Sequence, residues 1–104
     1  MLIDLSEAKA YLRVDSSFED GLIGSLIVSA EMLCCEVGRL SDNAWNAVCD
    51  DQNEDRVIVR TREIMRVAIM YTIAYLYEHR EEADHHDLTL TLRSLLFSIR
   101  EGVF

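Results

Sequence analysis

The sequence has no proline and only four glycines, so long helices meet few interior obstacles. Basic residues are scarce: ten Lys plus Arg stand against 19 Asp plus Glu, a formal net charge of −9. A duplex-DNA reader gains affinity by neutralising phosphates with basic side chains, and this chain carries the opposite field. Tight general nucleic-acid binding is therefore disfavoured. Lysine occurs once, as Lys9, and the other basic residues are arginine. The planar guanidinium fork suits fixed ion pairs and interfaces, which hints at assembly surfaces. Cysteine is limited to Cys34, Cys35 and Cys49. An odd number, two of them adjacent and with no CxxC spacing, excludes a disulfide framework and a zinc site and fits the cytoplasm. A long hydrophobic run is also missing. The longest apolar stretch, Val67 to Tyr77, is broken by Thr72 and falls short of the roughly 20 residues of a membrane helix. The N-terminal stretch carries Asp4 and Glu7 where a signal peptide would carry positive charge.

What remains is a chain of 104 residues and 11.9 kDa, half of it hydrophobic. That length fits one domain, residues 1–104. Size scaling predicts a folded surface of roughly 5,900 Å² against about 17,000 Å² unfolded, enough burial for a core without staples.

The apolar spacing predicts an all-α fold: a compact bundle of about four helices, two of them long. Asp4 with Glu7 forms a capping box for a short helix over about Leu5 to Arg13, with Leu5, Ala8 and Leu12 on one face. Ser16 with Glu19 offers a second box, opening a longer helix near Phe18 that runs to about Val37. Its stripe is Leu22, Ile23, Leu26, Ile27, Ala30, Leu33, Cys34 and Val37. Leu26→Ala is expected to be costly if that site is fully buried. Gly38 stands where a helix C-terminal cap belongs. Ser41 is a candidate cap for a short helix bearing Ala44, Trp45 and Val48. The acidic run Asp50 to Asp55 reads as a loop. A long helix follows from near Asp55 to near Glu81, with Ile58, Thr61, Met65, Ala68, Thr72 and Leu76 along one side. Ile69, Met70, Ile73 and Tyr77 add apolar groups on other sides. Either subunit contacts or wrapping by the remaining helices would cover them. After a polar connector with His85 and His86, a last helix is expected from about Leu90 to Ile99. Its core face is Leu92, Leu95, Leu96 and Ile99. The alternation of Leu88, Leu90 and Leu92 with threonines also fits a short strand.

Chemistry-bearing patterns are weak. His79, His85 and His86 lack ligand spacing for a closed metal site and read as a solvated connector. Cys34 sits on an apolar stripe, as a small core hydrophobe does. Gly21 to Gly24 matches an RNA-clamping GxxG only by letters, because Glu19 and Asp20 precede it. Arg56, Arg60, Arg62 and Arg66 form a basic cluster, expected to pair with the acidic run or with a neighbouring subunit. No nucleophile elbow, phosphate loop or dinucleotide fingerprint is present. The reading is of a non-enzyme without cofactor or metal.

Read end to end, the chain resembles the head–tail connector (DNA-packaging adaptor) family of tailed phages and prophages. Leu5-Ser6-Glu7-Ala8-Lys9-Ala10-Tyr11-Leu12-Arg13-Val14-Asp15 is similar to that family's opening helix, with its Lys-x-x-Leu-Arg stretch and acidic turn. Phe18-Glu19-Asp20-Gly21-Leu22-Ile23, continuing to Leu26-Ile27 and Ala30-Glu31, resembles its second helix. Ala74-Tyr75-Leu76-Tyr77-Glu78-His79-Arg80-Glu81 is similar to its Leu-Tyr-Glu-x-Arg-Glu signature. Leu95-Leu96 followed by Arg100-Glu101 resembles its close. Ser41 to Asp55 matches no motif of the family.

The resemblance implies a structural subunit that assembles as a homo-oligomeric ring between the portal protein and a tail-side head-completion protein. The setting it implies is the virion's portal vertex, with the bacterial host cytoplasm during assembly. DNA would pass through the channel without sequence-specific binding, and no membrane would be involved. The residues it singles out are Lys9, Leu12, Arg13, Tyr77, Arg80, Leu95, Leu96 and Arg100. Arg80 and Arg100 are expected to hold assembly-level or interhelix ion pairs. A ring of roughly twelve such acidic subunits would carry about −108, a field that keeps phosphates off the wall. The alternative from a different class is a small helical protein-interaction or regulatory module that forms no ring.

Overall fold

The computed structural model describes residues 2–79, 81 and 85–99. Five α-helices follow one another: α1 (Leu5–Leu12), α2 (Asp20–Val37), α3 (Asp42–Cys49), α4 (Arg56–Glu78) and α5 (His86–Leu96). A 3-10 turn, Phe97–Ile99, closes the described chain. The fold is all-helical, and α2 and α4 are its two long members. At 1.5 Å per residue α4 is about 35 Å long.

Local chemistry starts three of these helices. Asp4 accepts a hydrogen bond from the Glu7 backbone N–H at 2.8 Å, Ser41 from Ala44 at 3.1 Å, and Asp55 from Val57 and Ile58. Asp4 and Ser41 are the caps that the sequence pattern places there, and Asp55 stands where the long helix is expected to start. The second capping box does not form. The residue before α2 is Glu19, whose side chain makes no cap bond, so Ser16 does not start that helix. The strand alternative at Leu88 to Leu92 is also overturned, since α5 begins at His86.

Both α1 and α2 end with an arginine where glycine is usual. At the end of α2, Leu40 N–H bonds to the Cys35 carbonyl and Arg39 N–H to that of Glu36. This bond pair places the left-handed residue at Arg39, with φ 56°. Gly38 is the C-terminal cap of α2, as expected, and is itself right-handed at φ −76°. Its small size matters instead: an added Cβ would stand 3.0 Å from the Cys34 carbonyl oxygen and 3.7 Å from the Leu96 side chain of α5. Arg13 repeats the arrangement at φ 59°. A left-handed non-glycine residue costs about 1–2 kcal/mol, part of which glycine returns through its greater freedom when unfolded. Arg39→Gly should therefore raise stability by about 0.5–1 kcal/mol in denaturant titrations. A loss of stability would show that the Arg39 side chain contributes more than its backbone costs.

The core is one cluster. It is built on Ile23, Ile27, Ala30 and Cys34 of α2, and on Met65, Ala68, Ile69 and Ile73 of α4. Leu88, Leu92 and Leu96 of α5, Ala8 of α1 and Ile3 complete it. The α4 helix touches all four others, so it is the wrapped centre, with α2 its main partner. Thr72, mid-helix and fully buried, donates to the Ala68 carbonyl at 2.8 Å and lies 3.5 Å from the Cys34 sulfur.

The structure corrects three core expectations, the first at Leu22, which is exposed at 37%. Leu26 is only half-buried, because the face turned to α4 runs through Ile23, Ile27, Ala30 and Cys34. Leu95 is exposed, at 37%, rather than in the core. The face of α5 is the i, i+4, i+8 row Leu88, Leu92 and Leu96, one row away from the expected Leu92, Leu95, Leu96 and Ile99.

Candidate functional site

The family-like residues do not gather into one pocket, but two of them converge. Lys9 of α1 pairs with Asp20 at 2.8 Å, and the Tyr77 hydroxyl of α4 donates to Glu19 Oε1 at 2.7 Å. Both therefore fasten the first turn of α2, which lacks a cap bond of its own. Leu12 packs half-buried against the core, Arg13 supplies the left-handed turn after α1, and Leu96 is fully buried beneath Gly38. Leu95 faces outward. Arg80 and Arg100 lie outside the described residues.

The arginine cluster of α4 divides its work. Arg62 Nε donates to the Val48 carbonyl at 2.8 Å, and its Nη2 donates to the carbonyls of Asp50 at 2.6 Å and Asn53 at 3.1 Å. It pairs with the acidic run through backbone oxygens, not carboxylates. One turn on, Arg66 donates to the Leu2 carbonyl at 2.8 Å and forms an ion pair with Glu7. Arg56 and Arg60 are exposed, and among the described residues neither has an ion-pair or hydrogen-bond partner.

One concavity lies between α2 and α3. Val28, Glu31, Met32, Cys35, Leu40, Asp42 and Trp45 line a groove of about 420 Å³. Met32 is 68% exposed on its rim, beside half-exposed Val28. At its wall stands Glu31, only 9% exposed, with Oε1 buried and without a hydrogen-bond partner among the described residues. Sequence reasoning did not single out Glu31 as a site. The signal was there: position 31 falls between Ile27 and Cys34 on the apolar stripe, so a carboxylate is carried toward the core.

Burial raises the Glu31 carboxyl above its ordinary 4.5, opposed in part by the positive charge of the N-terminus and then by a backbone hydrogen bond from Leu2. An acid shifted this way favours the folded state when protonated. The stability it contributes is complete below the ordinary value and falls as pH rises through the raised one. Glu31→Gln should thus raise the melting temperature at neutral pH. The gain should vanish near pH 4, and an equal gain at both pH values would rule out the buried charge as its cause.

The thiols are poorly suited to nucleophilic work. Burial pushes Cys34 up to about 11 and Cys35 up to about 12, and it also raises Cys49. At neutral pH all three are held as thiols, the unreactive form. Among the described residues no group of three or more His, Cys, Asp and Glu side chains is placed to hold a metal ion. No described helix is long and apolar enough to cross a membrane.

A second, smaller concavity of about 280 Å³ lies between α1 and α4, lined by Ile3, Tyr11, Glu63, Arg66, Val67 and Met70. Val67 is 60% exposed there, and Tyr71 is exposed one turn further along. The described residues thus expose two different apolar patches, one on α2 and α3, the other on α1 and α4.

The chain matches no protein-family model, no curated protein and no solved structure.

Proposed function

We propose that this protein is a structural subunit of the head–tail connector kind, forming a ring between portal and tail and extending the DNA exit channel. The observation that carries this reading is that one small helical body exposes two different apolar patches, Val28 and Met32 on α2 and Val67 and Tyr71 on α4. A ring subunit must mate head to tail through two different patches, and closure follows from the rotation between neighbours. A dimeric module needs only one self-complementary patch. The net charge of −9 suits a channel that lets DNA pass without holding it. The family-like Lys9 and Tyr77 fit a role in shaping the subunit, since both fix the start of α2. In this reading the partners are further copies of the chain, a portal protein and a tail-side completion protein, at the portal vertex of a virion assembled in a bacterial host.

The test combines the purified protein with its cognate portal and images the mixture by negative-stain electron microscopy. A second ring stacked on the portal with one shared axial channel is the expected result. A protein that stays monomeric at high concentration and ignores the portal would instead be an interaction or regulatory module.

A further inference from the structure

Helix α4 carries charges at both ends that its own backbone disfavours. Arg56 opens the helix, where the backbone dipole is positive, and Glu78 closes it, where the dipole is negative. The first turn holds no acidic residue and the last turn no basic one. Among the described residues, the side chains of Arg56, Arg60, Glu63, Tyr71 and Glu78 have no ion-pair or hydrogen-bond partner. All five are exposed, and the helical period puts them on one face with exposed Val67 and half-buried Ala74. Arg56, Arg60 and Glu63 precede Val67 by eleven, seven and four residues; Tyr71, Ala74 and Glu78 follow it by four, seven and eleven. The face is therefore symmetric in spacing about Val67 and opposite in charge at its two ends.

We infer that two copies of this chain pair through this face, with the α4 helices antiparallel and Val67 on the two-fold axis. The equal spacing then sets Arg56 against Glu78 of the second copy, Arg60 against Ala74 and Glu63 against Tyr71, each contact occurring twice. The end charges gain from the second helix what their own helix denies them. Arg56 lies beside its negative end, and Glu78 beside its positive end. The concavity between α1 and α4, lined in part by Tyr11, Glu63, Val67 and Met70, adjoins the axis. It receives Tyr71 of the second copy, whose hydroxyl donates to Glu63. A parallel pairing would set arginine against arginine and glutamate against glutamate, so charge selects the antiparallel one. This inference goes beyond the connector reading. A two-fold contact closes on itself and builds no ring, so the pair is a state of free subunits that opens before a ring forms.

Sedimentation equilibrium of the whole chain tests the pairing. The native mass should rise with concentration to that of a dimer. Val67→Asp sets two carboxylates face to face on the axis and should weaken pairing on the order of 100-fold. Arg56→Glu and Glu78→Arg should each weaken it about 10-fold, since two exposed attractions become repulsions. Each of these charges suits its own helix end better than the native one. Neither variant should therefore melt below the native chain at a concentration too low for pairing. The combined variant Arg56→Glu/Glu78→Arg should recover part of the pairing, because opposite charges again face each other. Placement is read by cross-linking. In a Cys49→Ser background, diamide should join Val67→Cys into a disulfide dimer and leave Met32→Cys unjoined. A native chain that stays monomeric, unchanged pairing in Val67→Asp, no recovery in the combined variant, or equal cross-linking at positions 32 and 67 would each overturn the pairing. Stacking on the portal is read separately. A dimer that never stacks removes the connector reading and leaves the pairing, and a monomer that stacks does the reverse.

Discussion

Ile27→Ala should lower the folding stability by about 2–5 kcal/mol, a large part of the 5–15 kcal/mol available to a typical domain. Ile27 is fully buried on the face of α2 that meets α4. Removing its side chain beyond Cβ loses transfer free energy and leaves a cavity between α2 and α4. Its neighbour Leu26 is half-buried, so Leu26→Ala should cost clearly less. Exposed Leu95→Ala should cost no more than about 1 kcal/mol. Urea unfolding of the three variants decides the register of the core. Equal losses at positions 26 and 27 would mean that the buried face of α2 is rotated from the one described.

The second large effect is expected at Arg62. Its side chain holds three backbone carbonyls, at the end of α3 and in the loop that leads to α4. Hydrogen bonds from a charged donor contribute about 1.5–3 kcal/mol each, and bonds that share one donor group do not add. Arg62→Ala should cost about 2–3 kcal/mol overall. Lysine lacks the fork that spans Val48, Asp50 and Asn53, so Arg62→Lys should recover only part of the loss. Hydrogen exchange in residues 50–55 should rise in Arg62→Ala while the core of α2 changes much less. A stability within about 0.5 kcal/mol of the native value would show that the bridge contributes nothing.

The arginine cluster shows how local pattern and tertiary contact divide the information. Four arginines within eleven residues are visible in the sequence, and so is the acidic run before them. Nothing in the spacing says that Arg62 reaches carbonyls on the preceding segment, that Arg66 reaches back to Glu7, or that Arg56 and Arg60 stay outside. Those outcomes depend on where α1 and α3 lie across α4, a matter of contacts up to 64 residues apart. Glu31 is the same kind of case. Its place on the apolar stripe is legible, but the groove beside it exists only once α3 and Leu40 close against α2.

The sequence by itself determined the features that depend on neighbours a few residues away. It specified an all-helical fold, the caps at Asp4 and Ser41, the loop before α4, and the two long apolar helices that make the core. These follow from side chains that bond the backbone two or three residues on, and from a 3.6-residue period. Tertiary packing decided what local rules leave degenerate. Leucines at 88, 90, 92, 95 and 96 offer α5 several apolar rows, and only its docking beside Gly38 and α4 selected Leu88, Leu92 and Leu96. The left-handed turn fell to Arg39 because the Cys35 and Glu36 carbonyls were satisfied from there, while Gly38 was needed where Leu96 comes close. The start of α2 was fixed not by Ser16 but by Lys9 and Tyr77, which reach it from other helices.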